Sequence, residues 1–205
     1  MLERIVRDSF KGITIVEEEV GSINKLLSRQ IATAARASGL RVCLVTLTEE
    51  AAPVQQERIA MESTIGGAEE ISSVPQGRSV RRTEGAKTFL EGLDFDLIVI
   101  NSFSNYFVDK SERDAVYLIR EIESLAQKGK SFLISYEPGI LSEKATAFLR
   151  SIADNVLVIR TQLVGDRVDR MLYVPKVTGE EPLDRLIKIT VDGAGIQEDT
   201  REFVG

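Results

Sequence analysis

The sequence contains no histidine and a single cysteine, Cys43. Without histidine there is no Ser-His or Cys-His catalytic pair and no imidazole ligand for a metal. One thiol supports neither an intrachain disulfide nor a thiolate metal site. Cys43 lies within an apolar run, where a buried structural thiol in a reducing compartment is expected. The apolar runs are too short to cross a bilayer. The opening "MLERIVRDSF" is charged and lacks the apolar centre of a signal peptide, so a cytoplasmic protein is expected. Basic residues are outnumbered, 26 Lys and Arg against 32 Asp and Glu, giving a net charge of −6. That balance weighs against nucleic acid as the main partner. The densest basic cluster, "GRSVRR" (Gly77 to Arg82), reads first as a solvated loop.

What is present is an ordinary globular composition: 205 residues, 43% hydrophobic and 28% charged. That predicts one domain, residues 1–205, large enough for a full core. No internal repeat, low-complexity tract or linker interrupts it. Strand-like and helix-like segments alternate. "GITIV" (Gly12 to Val16) leads into a helix from about Ser22 to Ser38, whose Leu26, Leu27, Ile31, Ala34 and Ala35 share one face. Gly39 ends that helix. "LRVCLVTL" (Leu40 to Leu47) is a second strand, residues 51–69 are ambiguous, and "EEISSVP" is a weak strand. "RRTEGAKTFLEGL" reads as a helix, and "FDLIVINSF" (Phe95 to Phe103) as a central parallel strand covered on both faces. A helix capped by Ser111, the strand "SFLIS" and the helix "SEKATAFLRSIA" follow. The last third reads as two strands around a Val-Gly-Asp turn and a closing hairpin at "DGAG". The whole predicts an α/β fold: a mostly parallel central sheet with helices on both faces and antiparallel C-terminal strands.

The layout and several segments in the same order resemble the RecA-like ATPases, specifically the KaiC branch. Within it the chain is most similar to the accessory ATPases of the archaeal archaellum motor. The resemblance rests on "GITIVEEEVGSINKLLSRQIA", on "FDLIVINSFS", and on the C-terminal half from "GKSFLISYEPGILSEKATAFLRSIADNVLVIR" to "DRLIKITVDGAGIQ". It implies a P-loop NTPase sandwich with a phosphate-binding loop at "EEEVGSINK".

Such a loop has the form G-x-x-x-x-G-K-[ST]. Its glycines turn backbone N–H groups toward the phosphates, its lysine reaches the β- and γ-phosphates, and its hydroxyl holds Mg²⁺. Here Glu18 and Ile23 stand at the glycine positions, Asn24 at the lysine and Lys25 at the hydroxyl; Gly21 and Ser22 keep the loop's flavour. Isoleucine resists the positive φ that glycine supplies. Loss of the lysine removes about 1.5–3 kcal/mol. Glu17, Glu18 and Glu19 add like charge beside an anion. The losses together amount to roughly 4 kcal/mol, about a thousandfold in affinity.

The resemblance implies further sites, and these are altered too. An aspartate expected at the end of the second acidic strand, where it helps hold Mg²⁺, is Asn101. The water-activating acid after "VT" is reduced to Glu49. The Lys-x-Arg pair that would reach a neighbour's nucleotide is Lys176 followed by Thr178. The expectation is an inactive ATPase homologue without cofactor or metal. It would bind other protein subunits, such as an active RecA-like paralogue or a motor component, in signal transduction or archaellum regulation. Two alternatives stand beside it: an ATP-binding switch that uses Lys25 and Glu49, and a nucleic-acid-binding module that uses Arg78, Arg81 and Arg82.

Overall fold

The continuous apolar runs of the sequence become the central strands of one sheet. The structure is a computed structural model and describes residues 2–18, 23–47, 69–72, 82–179, 186–192 and 195–199. Its helices are α1 (Leu2–Asp8), α2 (Ile23–Ala37), α3 (Arg82–Gly92), α4 (Glu112–Gln127) and α5 (Glu143–Ile152), with a short 3-10 helix at Phe103–Phe107. Its strands are β1 (Ile13–Glu18), β2 (Val42–Thr46), β3 (Glu69–Ser72), β4 (Leu97–Asn101), β5 (Ser131–Tyr136), β6 (Asn155–Val164), β7 (Arg167–Val177), β8 (Ile187–Asp192) and β9 (Gly195–Glu198). The sheet order is β3-β2-β4-β5-β1-β6-β7-β8-β9. Pairing is parallel from β3 to β6 and antiparallel from β6 to β9.

Alternation along each strand sends side chains to opposite faces, so two cores form. Ile13, Ile15, Ile98, Ile100, Phe132 and Ile134 pack with α3, α4 and α5. Val16, Leu97, Val99, Leu133 and Leu157 pack with α1 and α2 on the other face. Cys43 is fully buried in the first core. Burial on both faces explains why these strands read as unbroken apolar runs.

The helix starts follow from local chemistry. Ser111 accepts the Asp114 N–H at 3.3 Å, and the Asp114 carboxylate accepts the Ser111 N–H at 3.2 Å, a reciprocal cap on α4. Ser142 caps α5 through the Ala145 N–H at 3.2 Å. The element types match those expected, with ends trimmed: α2 spans Ile23–Ala37 and β2 spans Val42–Thr46. The ambiguous residues 51–68 lie outside the described residues. α1 carries no signal in the sequence, because seven residues hold too few turns to display a period. Among the described residues no helix is long and apolar enough to cross a membrane.

Two glycines with positive φ differ in a way that can be measured. Gly12 (φ +68°) enters β1, and a Cβ there would stand 2.0 Å from Asp154 Oδ2. That oxygen accepts the Ile13 N–H at 2.8 Å. Gly39 (φ +89°) has nothing within 4 Å of its would-be Cβ. Gly39→Ala is expected to cost about 1 kcal/mol from the left-handed backbone alone. Gly12→Ala adds the broken Asp154 bond and is expected to cost about 2 kcal/mol or more. Urea unfolding of the two variants checks this; equal costs would contradict it.

Candidate functional site

β1 lies between β5 and β6, where the connections diverge to the two halves of the sheet. In open α/β sheets the C-terminal ends of strands at such a point are where ligands bind. β1 ends there in two buried glutamates, Glu17 and Glu18. Strand alternation turns them to opposite faces, and each has a different occupation.

Glu17 lies opposite Tyr136 in the β1–β5 register. Its Oε2 accepts the Tyr136 hydroxyl at 2.6 Å and Arg150 Nε–H at 2.9 Å. A second guanidinium nitrogen of Arg150, Nη2, donates to both carboxylate oxygens. A buried carboxylate persists only when paired in this way. Burial, with the hydrogen bond to Glu17 second, raises the Tyr136 pKa, so the phenol keeps its proton. The trio ties β1, β5 and α5 together.

Glu18 reaches the other way, to the start of α2. Its Oε2 accepts the Asn24 N–H at 2.8 Å, and the neighbouring Ile23 N–H also favours its charged form. These are the first two amides of the helix, the groups that a phosphate loop points at its anion. The protein's own carboxylate therefore sits where the positive end of α2 would hold a phosphate. The helix end favours the charge by about 0.3–2 kcal/mol, while burying a carboxylate costs several kcal/mol. Burial wins: it raises the Glu18 pKa above 4.5, against the lowering effect of the Asn24 and Ile23 N–H groups and Arg170. Among the described residues Glu18 Oε1 has no hydrogen-bond partner.

Asn24, at the lysine position of the resembling loop, is fully buried. Its Oδ1 accepts the Lys25 N–H at 2.6 Å, which folds the carboxamide back over the first turn. Its Nδ2 finds no partner among the described residues. Ile23 packs against the α2-side core, and the Lys25 side chain is exposed. Asn101 ends β4, half-buried, with Oδ1 unpartnered among the described residues. Next to it Ser102 is, among the described residues, the non-glycine one with positive φ (49°); its N–H donates to Ser135 Oγ at 3.1 Å. The carboxylate at the end of β5, Glu137, accepts the Ser104 hydroxyl at 2.6 Å. No group of three or more metal-ligating side chains occurs among the described residues.

Lys176 and Thr178 have contacts within their own chain. Lys176 Nζ donates to the Ser151 carbonyl at 2.9 Å and the Arg150 carbonyl at 3.5 Å, at the C-terminal end of α5. Thr178 Oγ1 donates to the Asp154 carbonyl at 2.9 Å. Glu19, Gly21, Ser22, Glu49, Arg78 and Arg81 lie outside the described residues, and Arg82 opens α3. The structure thus brings Glu18, Ile23, Asn24 and Lys25 together at one helix end, with Asn101 two strands away. Of the three glutamates expected to add like charge, Glu17 pairs with Arg150 and Glu18 faces the helix end, while Glu19 lies outside the described residues. Arg150, Tyr136 and Glu137 carry no sequence signal, since their partners lie 33 to 133 residues away. A cleft of about 820 Å³ opens beside this edge, lined by Glu17, Glu18, Arg150, Arg160, Tyr173 and Lys176 among others.

The raised Glu18 pKa fixes a sign. The folded chain holds this proton more tightly than the unfolded chain does. The stability it adds is complete below pH 4.5 and is lost as pH rises through the raised folded value. Glu18→Gln keeps an acceptor oxygen for the α2 amides and cannot ionise. Its unfolding free energy is expected to gain on wild type as pH rises above 4.5; parallel curves would contradict this. In a second comparison, Arg150→Met leaves Glu17 buried with only Tyr136. Arg150 is half-exposed, so water softens the loss, and about 1–3 kcal/mol is expected. Lys25→Ala, on an exposed side chain, is expected to stay within about 0.5 kcal/mol. Denaturant titration distinguishes the two.

No protein-family model matches the chain. It is 27% identical over 106 residues to the archaeal flagellar ATP-binding protein FlaH of Sulfolobus acidocaldarius, a match covering 52% of this chain and 46% of that protein. The match thus spans about half the length of the curated relative. The crystal structure of flagellar accessory protein FlaH from Methanocaldococcus jannaschii superposes with a TM-score of 0.65 at 14% identity, covering 93% of this chain and 90% of that one. The chain has the RecA-like P-loop NTPase fold, and its likeness in sequence and in structure is to the archaeal flagellar FlaH proteins.

Proposed function

We propose that this chain is a cytoplasmic RecA-like subunit that has given up ATP turnover and works by binding other proteins. The observation that carries the reading is the Glu18 carboxylate on the first amides of α2, 2.8 Å from the Asn24 nitrogen. A nucleotide phosphate would have to displace a carboxylate that is built into the strand end. Three further features support it. Asn24 replaces the phosphate-binding lysine with a neutral amide. Asn101 replaces a metal-holding carboxylate with an amide. Lys176 is engaged with the end of α5 in its own chain. Nothing among the described residues favours Lys25 as a substitute lysine, because its side chain points to solvent.

A fold kept without its chemistry still offers the surfaces by which RecA-like domains meet other subunits. The similarity to an archaeal flagellar protein supports partners among components of an archaellum-type motor or its signalling. An active RecA-like paralogue is the partner of this kind that the fold suits best.

Isothermal titration calorimetry of the full chain with Mg-ATP tests the nucleotide part. No saturable heat is expected up to about millimolar nucleotide, where binding free energy is only about −4 kcal/mol. A dissociation constant in the micromolar range would overturn the reading.

A further inference from the structure

β9 is the last strand at its end of the sheet, four residues long, and among the described residues it pairs with β8 alone. In an antiparallel pair, alternate residues turn their N–H and C=O toward the neighbouring strand and away from it. At the rim of a sheet the groups turned away form a template on which a strand of another chain can add. Ile196 lies opposite Val191 of β8, yet both of its backbone groups are taken by a side chain from α2. Its N–H donates to Gln30 Oε1 at 2.9 Å, and its C=O accepts Gln30 Nε2–H at 3.0 Å. The sheet therefore ends on the chain's own helix.

Helix and strand are fitted to each other from both sides. The Ile196 side chain is buried in the α2-side core with Ile187 and Ile189 of β8. The residue before it, Gly195, has φ +112°, and a Cβ there would stand 2.9 Å from Gln30 Oε1. Glycine within a strand marks just such a close approach. The chemistry of position 30 is equally particular. A carboxamide carries a donor and an acceptor side by side without charge, so it can satisfy both groups of one strand residue. A carboxylate lacks the donor and an ammonium lacks the acceptor. In the sequence Gln30 reads only as a polar position on an amphipathic helix, and its partner lies 166 residues away.

We propose that Gln30 guards this rim. It stands where a tenth strand would pair with Ile196, and it closes that slot to strand addition by any other chain. The inference goes beyond the protein-binding reading and touches it only by exclusion: a partner subunit would not dock as a strand on β9. It does not depend on the fate of ATP.

Amide hydrogen exchange of the full chain, followed by NMR, tests the guard, with Leu133 in central β5 as the reference for the intact fold. In wild type the Ile196 N–H is expected to be protected although it sits on the last strand. Gln30→Ala keeps the helix propensity and offers neither group. Its Ile196 N–H is expected to exchange at least about tenfold faster, with Leu133 unchanged. Gln30→Glu keeps the acceptor for that N–H and loses the donor for the C=O, so its Ile196 exchange is expected to fall between the two. Sedimentation velocity gives the second readout. At about 100 μM, Gln30→Ala is expected to self-associate more than wild type, because its rim is open. Ile196 exchange that is equally fast in wild type and Gln30→Ala would overturn the proposal. So would a Gln30→Ala variant with faster Ile196 exchange that associates no more than wild type. Either result would leave the calorimetric test of nucleotide binding untouched.

Discussion

The proposed reading turns on one carboxylate. Glu18 ends β1 and turns its oxygen onto the opening amides of α2. In a RecA-like sheet those amides are the phosphate-binding groups, and their use is set by whatever anion reaches them first. On the proposed reading, an anion tethered six residues away in the same chain is always present, and a free nucleotide would have to compete with it and expel it. The internal contact is held by burial around it, and that burial makes it costly as a charge, as the raised pKa records.

The rest of the strand end is arranged to keep Glu18 where it is. Glu17, next along, is held by Arg150 and Tyr136, which fixes the end of β1 against β5 and α5. α5 in turn has its C-terminal carbonyls closed by Lys176 from β7. Asp154, just after α5, receives both the Ile13 N–H and the Thr178 hydroxyl. A chain of side-chain contacts therefore runs from β7 through α5 to β1. These side chains hold the chain's own elements together.

Much of the fold was legible because its signals are local. Apolar runs such as "LIVIN" mark strands covered on both faces, and Ser111 and Ser142 mark helix starts. The Gly165–Asp166 turn is marked by glycine. α1 was not legible, being too short for periodicity. At the site, the spacing from Glu18 to Lys25 and the place of Asn101 were readable from the resemblance. The contacts were not. The three successive glutamates read as a repelling cluster, yet Glu17 meets a guanidinium 133 residues away. Nothing local announces that Arg150 will face it, because the pairing is created by the order of strands. The role of Glu18 was hidden for a similar reason: composition shows the charge, and only the geometry of strand end and helix start shows where it is directed.

The most direct test follows the two amides themselves. The backbone amide resonances of Ile23 and Asn24 can be recorded by NMR through a pH titration, and then at neutral pH with Mg-ATP added. If Glu18 occupies the helix end, both resonances move together as its carboxyl ionises, with a midpoint above 4.5, and Mg-ATP leaves them in place. Resonances that ignore pH and shift with Mg-ATP would show that the helix end is open to nucleotide, contradicting the account.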